Sequence, residues 1–185
     1  MRYEIIRREN ISTLKLRSMH VLRTKIFKTK KRWPVTIIDN MEIDEYDELN
    51  PFYLLIEDDS APNLIIGCWR ILPTLGPYML KNTFPELTSE ALPESDDVWE
   101  LSRFAIQSTG TLPMQFSALS VGAINQIIHF GIKNKLKGYV TVSSLGIERL
   151  LRRTDLPVKR LGEPKTIGTE KAVALFVDLK RYIRK

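Results

Sequence analysis

The spacing of apolar positions changes several times along the chain, and the changes divide it into elements. The opening MRYEII mixes charge with β-forming residues and predicts a short first strand. Leu16, Met19, Leu22 and Ile26 then recur at helical spacing through LKLRSMHVLRTKIF, so a helix follows. Over residues 28–50 the periodicity fails and polar residues gather, which predicts a connection much longer than the usual handful of residues and therefore a functional, site-covering loop. PFYLLIE and LIIGCWRIL, separated by the turn-rich DDSAPN, read as an antiparallel hairpin. Pro73, Pro77, Pro85 and Pro93 disfavour regular structure across most of residues 73–97, a second long connection. VWELSRFAI is the next strand, and after Pro113 the largely apolar MQFSALSVGAINQIIHFGIKNK suits a mostly buried helix. Gly138 opens the strand YVTVSS, residues 146–154 form a further helix, and VKRLG and KAVALFVDL are the last strands. Strands and helices mix, with a strand, helix, strand crossover near the end, which predicts an α/β (α+β mixed) fold in three layers. Without repeats or a low-complexity linker, residues 1–185 are expected to form a single domain.

Composition narrows the classes. With 43% hydrophobic and 27% charged residues the chain can bury one sizeable core. Its apolar runs, such as those at 64–68 and 127–132, fall far short of a membrane span, and its first residues carry no export signal, so a cytoplasmic protein is expected. The one cysteine, Cys68, excludes an internal disulfide and reads as a small core residue, and the two histidines, His20 and His129, lack ligand spacing, so no metal is expected. The net charge of +6 is segregated: residues 1–34 hold eleven Lys or Arg against two Glu, and residues 39–59 hold nine acids and no base. Such a basic face invites an acidic partner, and nucleic acid, an anionic membrane or an acidic carrier protein all qualify on charge.

Arg70 lies inside LIIGCWRIL, and Glu100 and Arg103 lie inside VWELSRFAI. Ionised groups in strands this apolar must pair, because an isolated buried charge costs several kcal/mol. Pattern alone leaves open whether they form a structural ion-pair network or a site, and whether Asp44 and Asp47 are a solvated loop face.

RTKIFKTKKRW with Arg23, Phe27 and Trp33, then MEIDEYDEL with Asp44 and Asp47, then GCWRILPTLGPYMLKNTFPEL with Arg70 and Phe84, then WELSRFAI with Glu100 and Arg103, stand in this order with consistent spacing. In these blocks the sequence resembles the LuxI-type acyl-homoserine-lactone synthase family over residues 1 to about 178. The resemblance implies a three-layer sandwich like that of the GCN5-related N-acyltransferases, with a splayed central sheet that admits a pantetheine arm. It also implies a cytoplasmic acyltransferase that moves an acyl group from acyl carrier protein to the amine of S-adenosylmethionine, a substrate rather than a cofactor, and releases methylthioadenosine and a quorum-sensing lactone. Glu100 is the implied general base, acting through water, with Arg103, Arg70, Asp44 and Asp47 completing the catalytic charge cluster. Arg23, Phe27 and Trp33 match the S-adenosylmethionine pocket, where aromatic faces attract a sulfonium and an arginine faces a carboxylate.

The resemblance further implies an apolar acyl-chain pocket walled by Trp69, Met79, Phe104, Val121 and Ile124, and by Thr141, Ser143, Leu150 and Leu151. Most of these are ordinary core residues by composition. A threonine at position 141 goes, in the family, with 3-oxo acyl chains, although a β-branched residue also simply suits a strand. Ser143 departs from the threonine of a long-chain member. Arg149, Arg152 and Arg153 sit three and four apart on a helix and could meet the carrier protein, with Lys180 and Arg181 joining them, or be a solvated face. Two rival readings are an acyl-coenzyme A-dependent N-acyltransferase, against which IQSTGTLPMQF offers only Gly110 for a phosphate loop, and a basic nucleic-acid-binding regulator, which lacks a recognisable motif. Nothing in the sequence demands more than a monomer.

Overall fold

The computed structural model describes residues 1–107 and 113–183, apart from the side chains of 113–117. Gly110 and the loop reading attached to it lie outside the described residues. In chain order the elements are β1 (Arg2–Arg7), α1 (Thr13–Arg23), β2 (Ile37–Ile38), β3 (Met41–Glu42), β4 (Phe52–Glu57), β5 (Ile65–Pro73), α2 (Met79–Asn82), β6 (Val98–Ile106), α3 (Pro113–Lys133), β7 (Gly138–Ser144), α4 (Leu145–Arg153), β8 (Val158–Arg160), β9 (Lys165–Ile167), β10 (Glu170–Asp178) and α5 (Leu179–Ile183). The mixed α/β class expected from the pattern is what these elements form. The chain groups into two compact units, one of residues 1–70 and 103–126, the other of 71–102 and 127–185. Strands β5 and β6 contribute to both.

In the first unit β1 and β4 pair antiparallel, from Arg2↔Glu57 to Arg7↔Phe52, and β4 neighbours β5. Tyr53, Leu54, Leu55 and Ile56 of β4 and Ile65, Ile66, Cys68 and Trp69 of β5 are all buried, which is why both strands read as continuous apolar runs. Ser12 caps α1 by accepting the Lys15 N–H at 3.4 Å. Past Arg23 the helix does not stop but widens into a π-helix over Thr24–Lys30, with the Lys31 N–H reaching back to the Ile26 carbonyl at 3.0 Å. Arg32 (φ 53°) takes the left-handed conformation that ends it, and the Trp33 N–H returns to the Phe27 carbonyl at 2.9 Å.

The stretch 28–50, expected as a long loop, holds more structure than that. Asp39 and Asn40 (φ 47° and 64°) make the two-residue turn of a β2–β3 hairpin, the conformation in which both central residues are left-handed. A 3₁₀ turn at Glu45–Leu49 follows. Its start is a reciprocal cap in which Asp44 accepts the Tyr46 N–H at 3.1 Å and Asp47 accepts the Asp44 N–H at 2.9 Å.

In the second unit β6 runs parallel to β7 from Val98↔Gly138 to Leu101↔Thr141, with α3 as the intervening crossover in the chain. β7 pairs antiparallel with β10 over its full length, β8 pairs with β10, and β9 turns back on the start of β10. Tyr78, Leu80, Leu87, Val98, Val140, Leu161 and Ala174 form a buried cluster here, against which Phe84 packs. The proline-rich stretch 73–97, expected to be mostly irregular, holds only the four-residue α2 and a 3₁₀ turn at Pro85–Leu87. Among the described residues no helix is long and apolar enough to cross a membrane.

Candidate active site

Six ionised side chains meet inside the first unit. Arg23, fully buried at the end of α1, sends both terminal nitrogens to the two oxygens of Asp47, at 2.8 and 3.0 Å, and its Nε to Glu42. Arg70, fully buried on β5, donates through Nη1 to Asp47 at 2.8 Å and to Asp44. Arg103 donates through Nε to Glu42 at 3.0 Å and pairs through Nη2 with Asp44 at 2.9 Å. The buried Tyr53 hydroxyl donates to Asp47 as well. Three guanidinium groups and three carboxylates cancel, which is the condition for keeping so much charge out of water.

The electrostatics follow from this pairing. Burial pushes the Asp47 carboxyl up, but Arg23 and Arg70 outweigh it and hold the group well below the usual carboxylate range. Burial likewise works against the charged forms of Arg23 and Arg70, and Asp47 holds both above the usual arginine value. The Tyr53 phenol is raised, first by burial and then by the Asp47 charge, so it stays a donor. His20, buried beside Arg23, shares a 2.8 Å hydrogen bond between Nδ1 and the Glu42 carbonyl oxygen, and burial followed by the Arg23 charge lowers its pKa. Since a carbonyl only accepts, Nδ1 carries the proton.

Arg103 has φ 59° inside β6, a left-handed residue in the middle of a strand. For a long side chain this is strained backbone of the kind concentrated at functional sites, and it breaks the pleat where the guanidinium turns toward Glu42 and Asp44. Arg103 also lies over the Phe27 ring, 5.2 Å from its centroid, and the Phe27 and Trp33 rings are tilted at 43° with centroids 5.4 Å apart. Expected as a charge cluster and as an S-adenosylmethionine pocket, Asp44, Asp47, Arg70 and Arg103 and the group Arg23, Phe27 and Trp33 are thus brought into one neighbourhood. Glu42, fully buried, and Tyr53 and His20 belong to it and were missed. Glu42 looked like one acid among many in MEIDEYDEL, and a tyrosine in an apolar strand reads as core.

Glu100 lies in the second unit, fully buried on β6. Its carboxylate accepts the N–H groups of Met79 and Leu80, at 3.0 and 2.6 Å. These are first-turn donors of α2, whose own cap residue, Tyr78, makes no side-chain bond to them, so Glu100 caps the helix from a neighbouring strand. Burial and then the Glu100 charge raise the Tyr78 phenol.

The expected acyl-pocket residues fall in both units. In the first, Trp69 and Phe104 stack with ring centroids 4.6 Å apart, Ile124 is buried and Val121 half-buried. In the second, Met79, Thr141, Ser143 and Leu151 are buried and Leu150 is half-buried, and the Thr141 and Ser143 hydroxyls lie 3.3 Å apart. Arg149, Arg152 and Arg153 are exposed on α4. Arg152 is braced by the buried Glu148, which also receives Arg160 at 2.8 Å and which Arg160 above all holds below its usual pKa. Beside them is a hollow of about 550 Å³ lined by Arg152, Lys159, Phe176, Asp178 and Arg181, and a second of about 510 Å³ shares Phe176, Asp178 and Arg181 and adds Lys137 and Lys180. Lys137 and Lys159 carried no pattern signal. Cys68 is buried and its thiol pushed up to about 12 by burial, as suits a core residue.

Comparison with known proteins identifies the family. The autoinducer synthase family model matches residues 7–185. An acyl-homoserine-lactone synthase of Pseudomonas aeruginosa is 45% identical over 95% of this chain and 88% of its own, and one of Aliivibrio fischeri is 34% identical over 89% and 86%. The crystal structure of the synthase LasI superposes with a TM-score of 0.88 at 45% identity, covering 96% of this chain and 89% of that one. An acyl-CoA N-acyltransferase from Pseudomonas aeruginosa, 10% identical with a TM-score of 0.62 over 95% of this chain and 97% of its own, shares the fold alone. By the family match and by relatives it spans nearly end to end, the chain belongs to the autoinducer synthases, acyltransferases that make acyl-homoserine lactones.

Proposed function

We propose that the chain transfers a 3-oxo acyl group of medium to long length from acyl carrier protein to the amine of S-adenosylmethionine, and that the acylated intermediate closes to the lactone with loss of methylthioadenosine. The observation that carries the acceptor half is the charge-neutral cluster set beside two neighbouring aromatic rings, Phe27 and Trp33. Aromatic faces attract a sulfonium, and TofI, 28% identical with a TM-score of 0.78, has a crystal structure with an inhibitor and methylthioadenosine bound. Arg23, its donors spent on Asp47 and Glu42, acts as a positioning residue that holds the two acids still. Asp44, Asp47, Arg70 and Arg103 supply the fixed field around the acceptor.

Glu100 is the carboxylate we assign to the amine proton. Two backbone donors fix the carboxylate in place, and a water relays the proton to it. The freed amine attacks the thioester carbonyl, the carbon–sulfur bond breaks, and the carrier thiol leaves. The substrate carboxylate then attacks the carbon beside the sulfonium, whose bond to sulfur breaks and expels methylthioadenosine. Thr141 offers the hydroxyl for a 3-oxo group, and Trp69, Phe104, Val121, Ile124, Met79, Ser143, Leu150 and Leu151 supply apolar wall.

The donor reading rests on the basic, partly apolar face of α4, β8 and α5, where Arg152, Lys159 and Arg181 surround Phe176. Charge of this kind steers an acidic carrier, and an enzyme fed by a carrier protein works in the cytoplasm. A family match that runs across both compact units supports reading the chain as one synthase domain. BjaI, at 20% identity and a TM-score of 0.81, is a CoA-dependent synthase of the same fold, so donor choice must be measured. Purified protein is given S-adenosylmethionine with matched acyl chains on carrier protein or on coenzyme A, and products are read by mass spectrometry. A 3-oxo lactone with methylthioadenosine from the carrier donor, much reduced in Glu100→Gln of unchanged circular dichroism, is expected. Full activity of Glu100→Gln overturns its role as base, and turnover with coenzyme A alone overturns the donor.

A further inference from the structure

Besides Arg103 over Phe27, the Phe27 and Trp33 rings already hold a second cation. The Lys31 ammonium lies 5.3 Å from the Trp33 centroid and 5.9 Å from that of Phe27, within the range at which a ring quadrupole attracts positive charge. The backbone fixes it there. Lys31 closes the π-helix through its N–H to Ile26, and the left-handed Arg32 reverses the chain so that Trp33 is tied back to Phe27, one aromatic ring on either side of the lysine in sequence. Phe27 and Trp33 are buried, whereas Lys31 is half-exposed, so the lysine can swing away into water while the rings stay in place.

We infer that Lys31 is a tethered stand-in for the substrate's sulfonium and sets the affinity for S-adenosylmethionine. Arg103 already lies over the Phe27 ring, so the competition is sharpest at Trp33: a sulfonium brought to that face is repelled by the ammonium held there and displaces it, whereas an uncharged thioether meets no such repulsion. The inference rests on the proposed sulfonium role of Phe27 and Trp33. Its consequence is a site that is never an empty aromatic cleft and that discriminates less sharply between charged substrate and neutral adenosyl thioethers than the rings alone would.

The test is calorimetric binding of S-adenosylmethionine and of S-adenosylhomocysteine, its neutral counterpart, to wild type, Lys31→Met, Lys31→Arg and Phe27→Leu. Lys31→Met is expected to lower the Kd for S-adenosylmethionine by roughly two- to fivefold, the range that a modest cation–π contact is worth. It should leave S-adenosylhomocysteine unchanged, with Lys31→Arg close to wild type. An unchanged or raised Kd for S-adenosylmethionine in Lys31→Met overturns the inference, since it makes the lysine neutral or a ligand for the substrate carboxylate. Phe27→Leu separates the two levels. If it narrows the preference for the charged ligand while Lys31→Met does nothing, only the lysine's role fails. If it leaves that preference intact, the aromatic reading fails and the inference with it.

Discussion

Asp47 accepts from Arg23, Arg70, Tyr53 and the Asp44 N–H, and each donor was placed by a different segment of chain. Removing its charge leaves two buried guanidinium groups under-compensated. Asp47→Asn is therefore expected to destabilise the protein by about 3–5 kcal/mol, and Tyr53→Phe, which removes one bond to a charged acceptor, by about 1.5–3 kcal/mol. Urea denaturation of the two variants checks the order. His20 adds a pH dependence. Its pKa is lowered in the fold from 6.5, so below that value the unfolded chain takes up a proton that the folded chain refuses, and stability falls as pH drops through this window. Glu57 acts lower down, because Lys15, the Asn63 N–H and Arg2 hold it at about 2 against an ordinary 4.5, and its contribution is lost as pH falls between those values. Thermal melts should show both steps, and His20→Gln, which keeps an N–H donor, should flatten only the upper one. At this scale the sequence was informative where charge stood in apolar surroundings, as at Arg70, Glu100 and Arg103. It was silent on Glu42, because an acid in an acid-rich segment gives no sign of being buried.

Among the elements, the long apolar strands and α3 were legible because burial writes itself as period or as continuous hydrophobicity. The β2–β3 hairpin was not, since two-residue strands are too short to show a period, although Asp39-Asn40 is a turn pair that tolerates left-handed backbone. The π-helix also left no trace in the pattern, and the structure offers no sequence reason for the widening at Thr24. Two glycines test the element account in opposite directions. At Gly138, where β7 starts, a Cβ would lie 2.3 Å from the Val177 carbonyl oxygen of β10, and backbone cannot yield, so Gly138→Ala should cost about 2 kcal/mol or more. At Gly146, in the first turn of α4, the nearest atom would be the Ser144 hydroxyl at 3.7 Å, so Gly146→Ala should stabilise by about 0.5–1 kcal/mol. Chemical denaturation resolves both.

Over the whole molecule, the charge segregation of the sequence acquires a second meaning. Part of the basic start of the chain is paired with the acidic stretch that follows it: Arg2 and Lys15 with Glu57, Arg8 with Glu48, and Arg23 with Glu42 and Asp47. The N-terminal third is thus partly neutralised within its own compact unit, while Lys25, Lys28, Lys30 and Arg32 stay exposed. The exposed cations of α4, β8 and α5 around Phe176 belong to the other unit and came from scattered positions, which is why the arginines of α4 with Lys180 and Arg181 could be picked out beforehand and Lys137 and Lys159 could not.

That surface bears on the central claim, which is that this synthase takes its acyl group from a carrier protein and gives it to S-adenosylmethionine. The most direct measurement is kcat/KM with one 3-oxo acyl chain presented on acyl carrier protein and on coenzyme A, at low and at moderate salt, in wild type and in Lys159→Glu/Arg181→Glu. The account predicts a clear preference for the carrier donor, weakened by salt and lost in the double variant while the slower coenzyme A rate stays put. An equal or greater rate with coenzyme A, indifferent to those two charges, would contradict it.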